Sequence, residues 1–449
     1  MRVRRLASVA LAFQVALSIA WAQIATPSDL SGEWELTTNV LGNPLAHRLT
    51  LKVEKGKLTG SVSRGKQTPI TGTVAGDLVR FEYKDDGTVN RYEGRLRDGI
   101  LSGTVAYSGE HWGATPPGEW RAKRVATDRP TAPRTLDYEP TAFHRVFSST
   151  IEPVLRIWPG DTVRTRTVDA GGVDEKGKTR VLGGNPQTGP FYVEGAMPGD
   201  VLAVHIVKLR LNRGTAISDD GLVGRAATAD WAAEHKDQNK FNDVVWSLDP
   251  EHGVARPAKP TARLKDLAVP LSPMLGCVGV APGFARAAVQ TGDSGRVGGN
   301  MDFNEIREGV TVYLPVAQPG ALLYLGDAHA LQGDGELNGN ALETSVDVEF
   351  SVDVVREKSI DGPRVENDEY IMAMGLSGSL DDAFREAASA LASWLEKDYG
   401  MTGPEAATLL GATVEFKISE VADRNAGVVA KVKKKYLPAA AGATEGVKK

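Results

Sequence analysis

The chain has 449 residues, a formal charge of -5 at pH 7, and 41% hydrophobic against 24% charged residues. That length accommodates two or three domains, and the net negative charge argues against nucleic acid as the main partner. With 49 glycines and only 6% aromatic residues, the composition suits a β-rich protein with many turns.

Arg2, Arg4 and Arg5 precede an apolar run over 6–20, and Ala20-Trp21-Ala22 supplies small residues at a cleavage position before Gln23. This pattern predicts a signal peptide over 1–22, hence a periplasmic or secreted protein. The run is too short for a permanent membrane helix, and no later segment is apolar enough to span a bilayer, so no membrane span is expected after signal removal. Cys277 is the only cysteine, which excludes an internal disulfide. Its apolar surroundings, Met274-Leu275-Gly276-Cys277-Val278-Gly279-Val280, predict a buried, inert thiol rather than a nucleophile.

Residues 28–124 carry an apolar-x-Gly-x-apolar repeat: Leu58-Thr59-Gly60-Ser61-Val62, Ile70-Thr71-Gly72-Thr73-Val74, Tyr92-Glu93-Gly94-Arg95-Leu96 and Leu101-Ser102-Gly103-Thr104-Val105. Turn residues separate the units, which predicts an antiparallel meander closing into a small barrel or sandwich, with the barrel preferred. The pattern resembles small lipocalin-like barrel modules of exported bacterial proteins, and a binding, docking or packing role is expected of it. Residues 125–140, with Pro130, Pro133 and Pro140, read as a linker. A second domain begins near residue 141. His205 reads as a packed strand histidine, and 345–354 as a half-exposed strand whose acids Asp347, Glu349 and Asp353 face water. A long amphipathic helix is predicted over 380–399, capped by Ser379 and stopped by Gly400, with Phe384, Ala387, Ala388, Leu391 and Leu395 on one face. A shorter helix over 404–410 and a strand over 413–418 follow, and residues 439–449 are expected to be a disordered tail.

Three carboxylates and one imidazole fall within eleven residues in Gly326-Asp327-Ala328-His329-Ala330-Leu331-Gln332-Gly333-Asp334-Gly335-Glu336, which begins where an apolar strand ends. Asp327 and His329 are two apart, which on an extended chain puts both side chains on one face. Imidazole and carboxylate together suit a divalent ion. Further strand-end acids are Asp169, before Gly171-Gly172, and Asp302, after Gly299-Asn300.

Three stretches of the second domain resemble the acetamidase/formamidase family: Gly184-Asn185-Pro186-Gln187-Thr188-Gly189-Pro190-Phe191-Tyr192-Val193-Glu194-Gly195-Ala196, then Gly298-Gly299-Asn300-Met301-Asp302, and the stretch from Gly326 to Glu336. The resemblance covers 141–438 and leaves the barrel as an addition. It implies a β-rich catalytic domain, commonly assembled as a homo-oligomer, that cleaves a small linear amide to carboxylate and ammonia. The chain has neither the Ser-Ser-Lys set nor the Glu-Lys-Cys set of the other amidase types.

Amide hydrolysis needs a nucleophile, charge stabilisation and a proton for the leaving nitrogen. Without a serine or cysteine nucleophile, metal-activated water is the expected attacker. Asp327, His329, Asp302 and Asp169 are the candidate ligands of a divalent ion, zinc or calcium. Glu194, Glu336 and Asp334 are the candidate acids and bases, and Asn185 and Asn300 the candidate oxyanion donors. Two other functions fit the same residues: a secreted, non-catalytic binding protein on this fold, or an amidase of a larger C–N substrate.

Overall fold

The computed structural model describes residues 30–109, 112–113, 115–283 and 288–439. The signal segment 1–22 and the tail from 440 onward lie outside the described residues.

The glycine repeat forms a closed barrel of eight antiparallel strands, from Gly32–Val40 to Gly118–Arg124, with the first strand paired to the last. Alternation turns Trp34, Leu36, Leu49, Leu58, Val79 and Leu101 into its interior. The repeated glycines have a steric cause. A Cβ at Gly72 would lie 2.7 Å from Phe81 Cα, and one at Gly94 2.5 Å from the Trp120 ring, so only glycine lets the wall close on its core.

The second domain is mainly β, built from an eleven-stranded and a nine-stranded sheet. Their facing sides share one apolar core, in which Phe191, Leu275 and Leu325 of the first meet Val204, Val312 and Phe350 of the second. The stretch read as a linker holds a short strand, Thr135–Asp137, parallel to Thr162–Arg166 at the edge of the nine-stranded sheet. The prolines on its N-terminal side keep it to three residues. The strand Val346–Val355 buries Val346, Val348, Phe350 and Val352 and exposes Asp347 and Asp353, the alternation its sequence implies.

The helix Leu380–Tyr399 covers the outer face of the nine-stranded sheet. Ser379 Oγ accepts from Asp382 N at 3.1 Å, and Gly400 closes the helix in the left-handed region at φ 67°. Its buried face runs through Ala383, Ala387, Leu391, Trp394 and Leu395. Phe384, expected on that face, is instead 47% exposed and packs on Phe416 at 4.6 Å between ring centroids. One residue beyond Ala383, it sits about 100° round the helix from the stripe. No helix among the described residues is long and apolar enough to cross a membrane.

Barrel and second domain meet through polar groups. Arg48 is buried between Glu33 at 2.8 Å and Asp200 at 2.6 Å, and Glu33 also pairs with Arg356 at 2.9 Å. Asp200 is held in turn by the backbone N–H groups of Met197 and Glu357, both at 2.9 Å. The Tyr192 hydroxyl donates to Glu35 of the barrel. None of the described apolar clusters contains residues from both parts.

Candidate metal centre

Three strands of the eleven-stranded sheet build the site: Met274–Val280, Gly298–Asn300 and Leu323–His329. Leu275 faces Ala328 and Cys277 faces Gly326, but between them Gly276 and Asp327 drop out of the ladder. The Gly276 carbonyl accepts instead from Met301 N at 2.9 Å and Asp302 N at 3.1 Å, which carries Asp302 alongside Asp327. Asp327 lies in the left-handed region at φ 56°, as do Asn185 at 54°, Asp302 at 40° and Glu336 at 47°. Non-glycine residues rarely sit there, and such strain collects at functional sites.

One oxygen each of Asp302 and Asp327 and one imidazole nitrogen of His329 converge. His329 Nε2 is 3.8 Å from Asp302 Oδ1 and 3.7 Å from Asp327 Oδ1. All three atoms are buried and make no hydrogen bond among the described residues. Glu343 Oε1 lies 3.1 Å from the same nitrogen, outside hydrogen-bond alignment. The histidine tautomer follows from its neighbour. Gln332 Nε2 donates to the Asp302 carbonyl at 2.5 Å and the Ser419 carbonyl at 3.1 Å, so its oxygen must face His329 Nδ1 at 2.8 Å. Nδ1 therefore carries a hydrogen, and a neutral ring presents the bare Nε2 lone pair to the two carboxylates. Two carboxylate oxygens and one imidazole nitrogen, unsatisfied and buried together, are a donor set fit for a divalent ion.

More acids enclose this trio. His329, Glu336 and Glu343 form a second group within ligand range, and Asp302, Glu420 and Asp423 a third. Burial, then the charges of Glu336 and Asp327, hold Asp302 well above the usual carboxylate range. Burial does the same for Glu336, pushes Glu343 up to about 7 and Glu420 up to about 9. Burial alone would lower His329, but the Glu343 and Asp327 carboxylates outweigh it and hold the imidazole well above its ordinary value. Burial, then Asp327 and Asp302, raises the Cys277 thiol, in keeping with an inert residue.

Asp302, Asp327, His329, Glu336 and Asn185 are thus brought together. Asn185 is not free to hold an oxyanion, because its Nδ2 donates to Asn300 Oδ1 at 2.9 Å and Asp327 Oδ2 at 3.0 Å. Asn300 is likewise committed to Asp302 Oδ2 and Asp423 Oδ2, both at 2.6 Å. Both amides position carboxylates. Asp169 lies outside the three groups: Arg213 takes its Oδ2 at 2.6 Å and Val173 N its Oδ1 at 2.8 Å, so it pins a turn and an arginine. Glu194 follows the far end of the strand Gln187–Val193 and is paired with Arg156, which stacks over Tyr192. That ion pair belongs to the barrel side of the domain. Asp334 is exposed and bound to Asn304 at 2.8 Å and Lys417 at 3.3 Å. Glu343, Glu420, Asp423, Gln332 and Gly276 escaped sequence reading. Gln332, three residues from His329 in the stretch 326–336, carried a local signal that the others lacked.

A model of the acetamidase/formamidase family matches residues 221–438. A formamidase of Methylophilus methylotrophus is 23% identical over 303 residues, covering 53% of this chain and 72% of that protein. Among solved structures, a predicted acetamidase/formamidase from Thermoanaerobacter tengcongensis superposes with a TM-score of 0.58 at 29% identity, covering 68% of this chain and 97% of its own. An acetamidase from Yersinia enterocolitica gives 0.58 at 30% identity, covering 68% and 94%.

Two outcomes are expected. A Cβ at Gly276 would lie 2.7 Å from Asp327 Oδ2 and still closer to Asp302 Oδ1. Gly276→Ala should therefore weaken metal binding about tenfold or more while leaving the circular dichroism spectrum native, as read by metal titration. The second concerns pH. Glu343 keeps its proton up to about 7 in the folded chain but releases it near its ordinary value when unfolded. Its stabilisation is full below that ordinary value and is lost as pH rises through 7, a change of about 3 kcal/mol. Glu420 extends the loss toward pH 9. The Tm of chelator-treated protein should fall from pH 5 to pH 9, and added zinc should raise it most at the alkaline end.

Proposed function

Because the chain belongs to the acetamidase/formamidase family, we propose that it hydrolyses a small linear amide to a carboxylate and ammonia at the Asp302–Asp327–His329 centre. The observation that carries this reading is the set of three convergent, buried donor atoms without hydrogen-bond partners. A divalent ion, zinc or calcium, held by these residues supplies a lowered water pKa and a polarised carbonyl, the two things an unreactive amide lacks. Gln332 fixes the His329 ring so that Nε2 faces the donor set, and Asn185 fixes Asp327. Glu343, whose Oε1 lies 3.1 Å from His329 Nε2 at the edge of the donor set, is placed to take a proton from the attacking water. Glu336, buried and grouped with His329 and Glu343, is placed to give one to the leaving nitrogen, and the proton gained by Glu343 then restores it.

Ammonia release from formamide and acetamide, measured with and without chelator, tests this. Chelation should abolish release and added zinc or calcium restore it. His329→Gln should lose metal and activity together, whereas Glu336→Gln should keep metal and lose about 100-fold or more in rate. Full activity in metal-free protein overturns the mechanism. Release confined to bulky amides would point to the larger C–N substrate, and binding without release to a non-catalytic protein.

Export of the enzyme rests on the basic start, the apolar run and Ala20-Trp21-Ala22. N-terminal sequencing of the mature protein should begin at Gln23; a mature protein retaining Met1 would sink that reading. Assembly as a homo-oligomer is proposed from the family resemblance.

A further inference from the structure

The core fills only one end of the barrel. Toward the other end, beyond the Phe81–Tyr92–Trp120 ring cluster, the strands border an open-mouthed pocket of about 530 Å³. This volume lies within the range of small-molecule sites. Its lining carries two buried polar atoms, His47 Nδ1 and the Tyr107 hydroxyl, that find no partner among the described residues. Buried polar atoms in native folds are normally satisfied, so a pair left open inside a pocket points to polar atoms of a ligand. Burial, then the Arg64 charge, pushes His47 down to about 4, which leaves its ring neutral at pH 7.

The walls are amphipathic. Tyr83, Tyr107 and Trp112 line the space, with Tyr107 and Trp112 stacked at 4.5 Å, and Val40, Leu45 and Val62 add apolar surface. Arg64 and Lys66 stand where the strands Lys57–Ser63 and Gln67–Ala75 join, and neither makes a hydrogen bond or ion pair among the described residues. Asp85 and Asp86, at the turn after the strand Leu78–Asp85, repel negative charge on their own side. An acid group entering the pocket is thereby confined to the side of the two cations. A guanidinium fork matches a carboxylate in shape and charge.

We propose that the barrel is a second ligand site, taking a small organic carboxylate whose acid group meets Arg64 and Lys66 and whose aromatic or acyl body lies against Tyr83, Tyr107 and Trp112. Arg64 also lines the cleft between barrel and second domain, beside Gly199 and Gly283, so the site opens at the joint between the two.

Calorimetric titration of the full mature protein with phenylacetate and octanoate, and with the neutral 2-phenylethanol, tests this. At least one carboxylate should bind saturably, with the alcohol weaker. Arg64→Gln should cost about tenfold in affinity and leave amide hydrolysis unchanged. Tyr107→Phe, which keeps the ring and removes the open hydroxyl, should weaken binding less. Asp327→Asn should retain carboxylate binding, which separates the barrel from the metal centre. The proposal is overturned if neither carboxylate binds, if Arg64→Gln binds as the wild type does, or if Asp327→Asn abolishes the titration.

Discussion

Six carboxylic acids, Asp302, Asp327, Glu336, Glu343, Glu420 and Asp423, stand in linked groups around a single imidazole. Like charges at such separations, shielded from water, repel strongly, and the fold tolerates them only if protons or a cation neutralise the set. The raised carboxyls of Asp302, Glu336, Glu343 and Glu420 express this constraint. The sheet interruption at Gly276 and the amides of Asn185, Asn300 and Gln332 are the means by which the chain holds the acids in place.

Holding them there strains the backbone. Asp and Asn tolerate the left-handed region, so Asn185, Asp302 and Asp327 are economical choices; Glu336 gains less from local side-chain bonding and stays because its carboxylate is tied to Ala341 N at 3.0 Å. Such conformations persist only where surrounding structure over-determines them. Here the sandwich core does so, with Leu275, Leu325 and Ala328 flanking the site and fully buried. Stability and chemistry thus draw on the same strands.

The sequence was most legible where the signal is periodic or local. The barrel repeat, the helix Leu380–Tyr399 with both its caps, and the strand Val346–Val355 could be read from spacing alone. Asp327 and His329 stood out because strand, small residues and ligand types coincide within a few positions. Glu343, Glu420 and Asp423 carry no such mark: they reach the centre through tertiary folding, the last two from a strand of the other sheet and the turn after it. Asp169 and Glu194 misled for a matching reason. Each looks like a site acid locally, and the arginine that claims it lies 44 or 38 residues away. A carboxylate's role is decided by its partner, and partners at that distance leave no trace in a local pattern.

The joint between barrel and second domain has a consequence of its own. Arg48, Glu33, Asp200 and Arg356 join the two by charge, and no apolar cluster among the described residues spans them. A contact of this kind answers to dissolved ions: the outer pairs fade at high ionic strength while the buried Arg48–Asp200 pair resists. Parting the two pieces would bare charged groups, Arg48 and Asp200 among them, that water solvates readily, so the exposed faces would be polar rather than sticky.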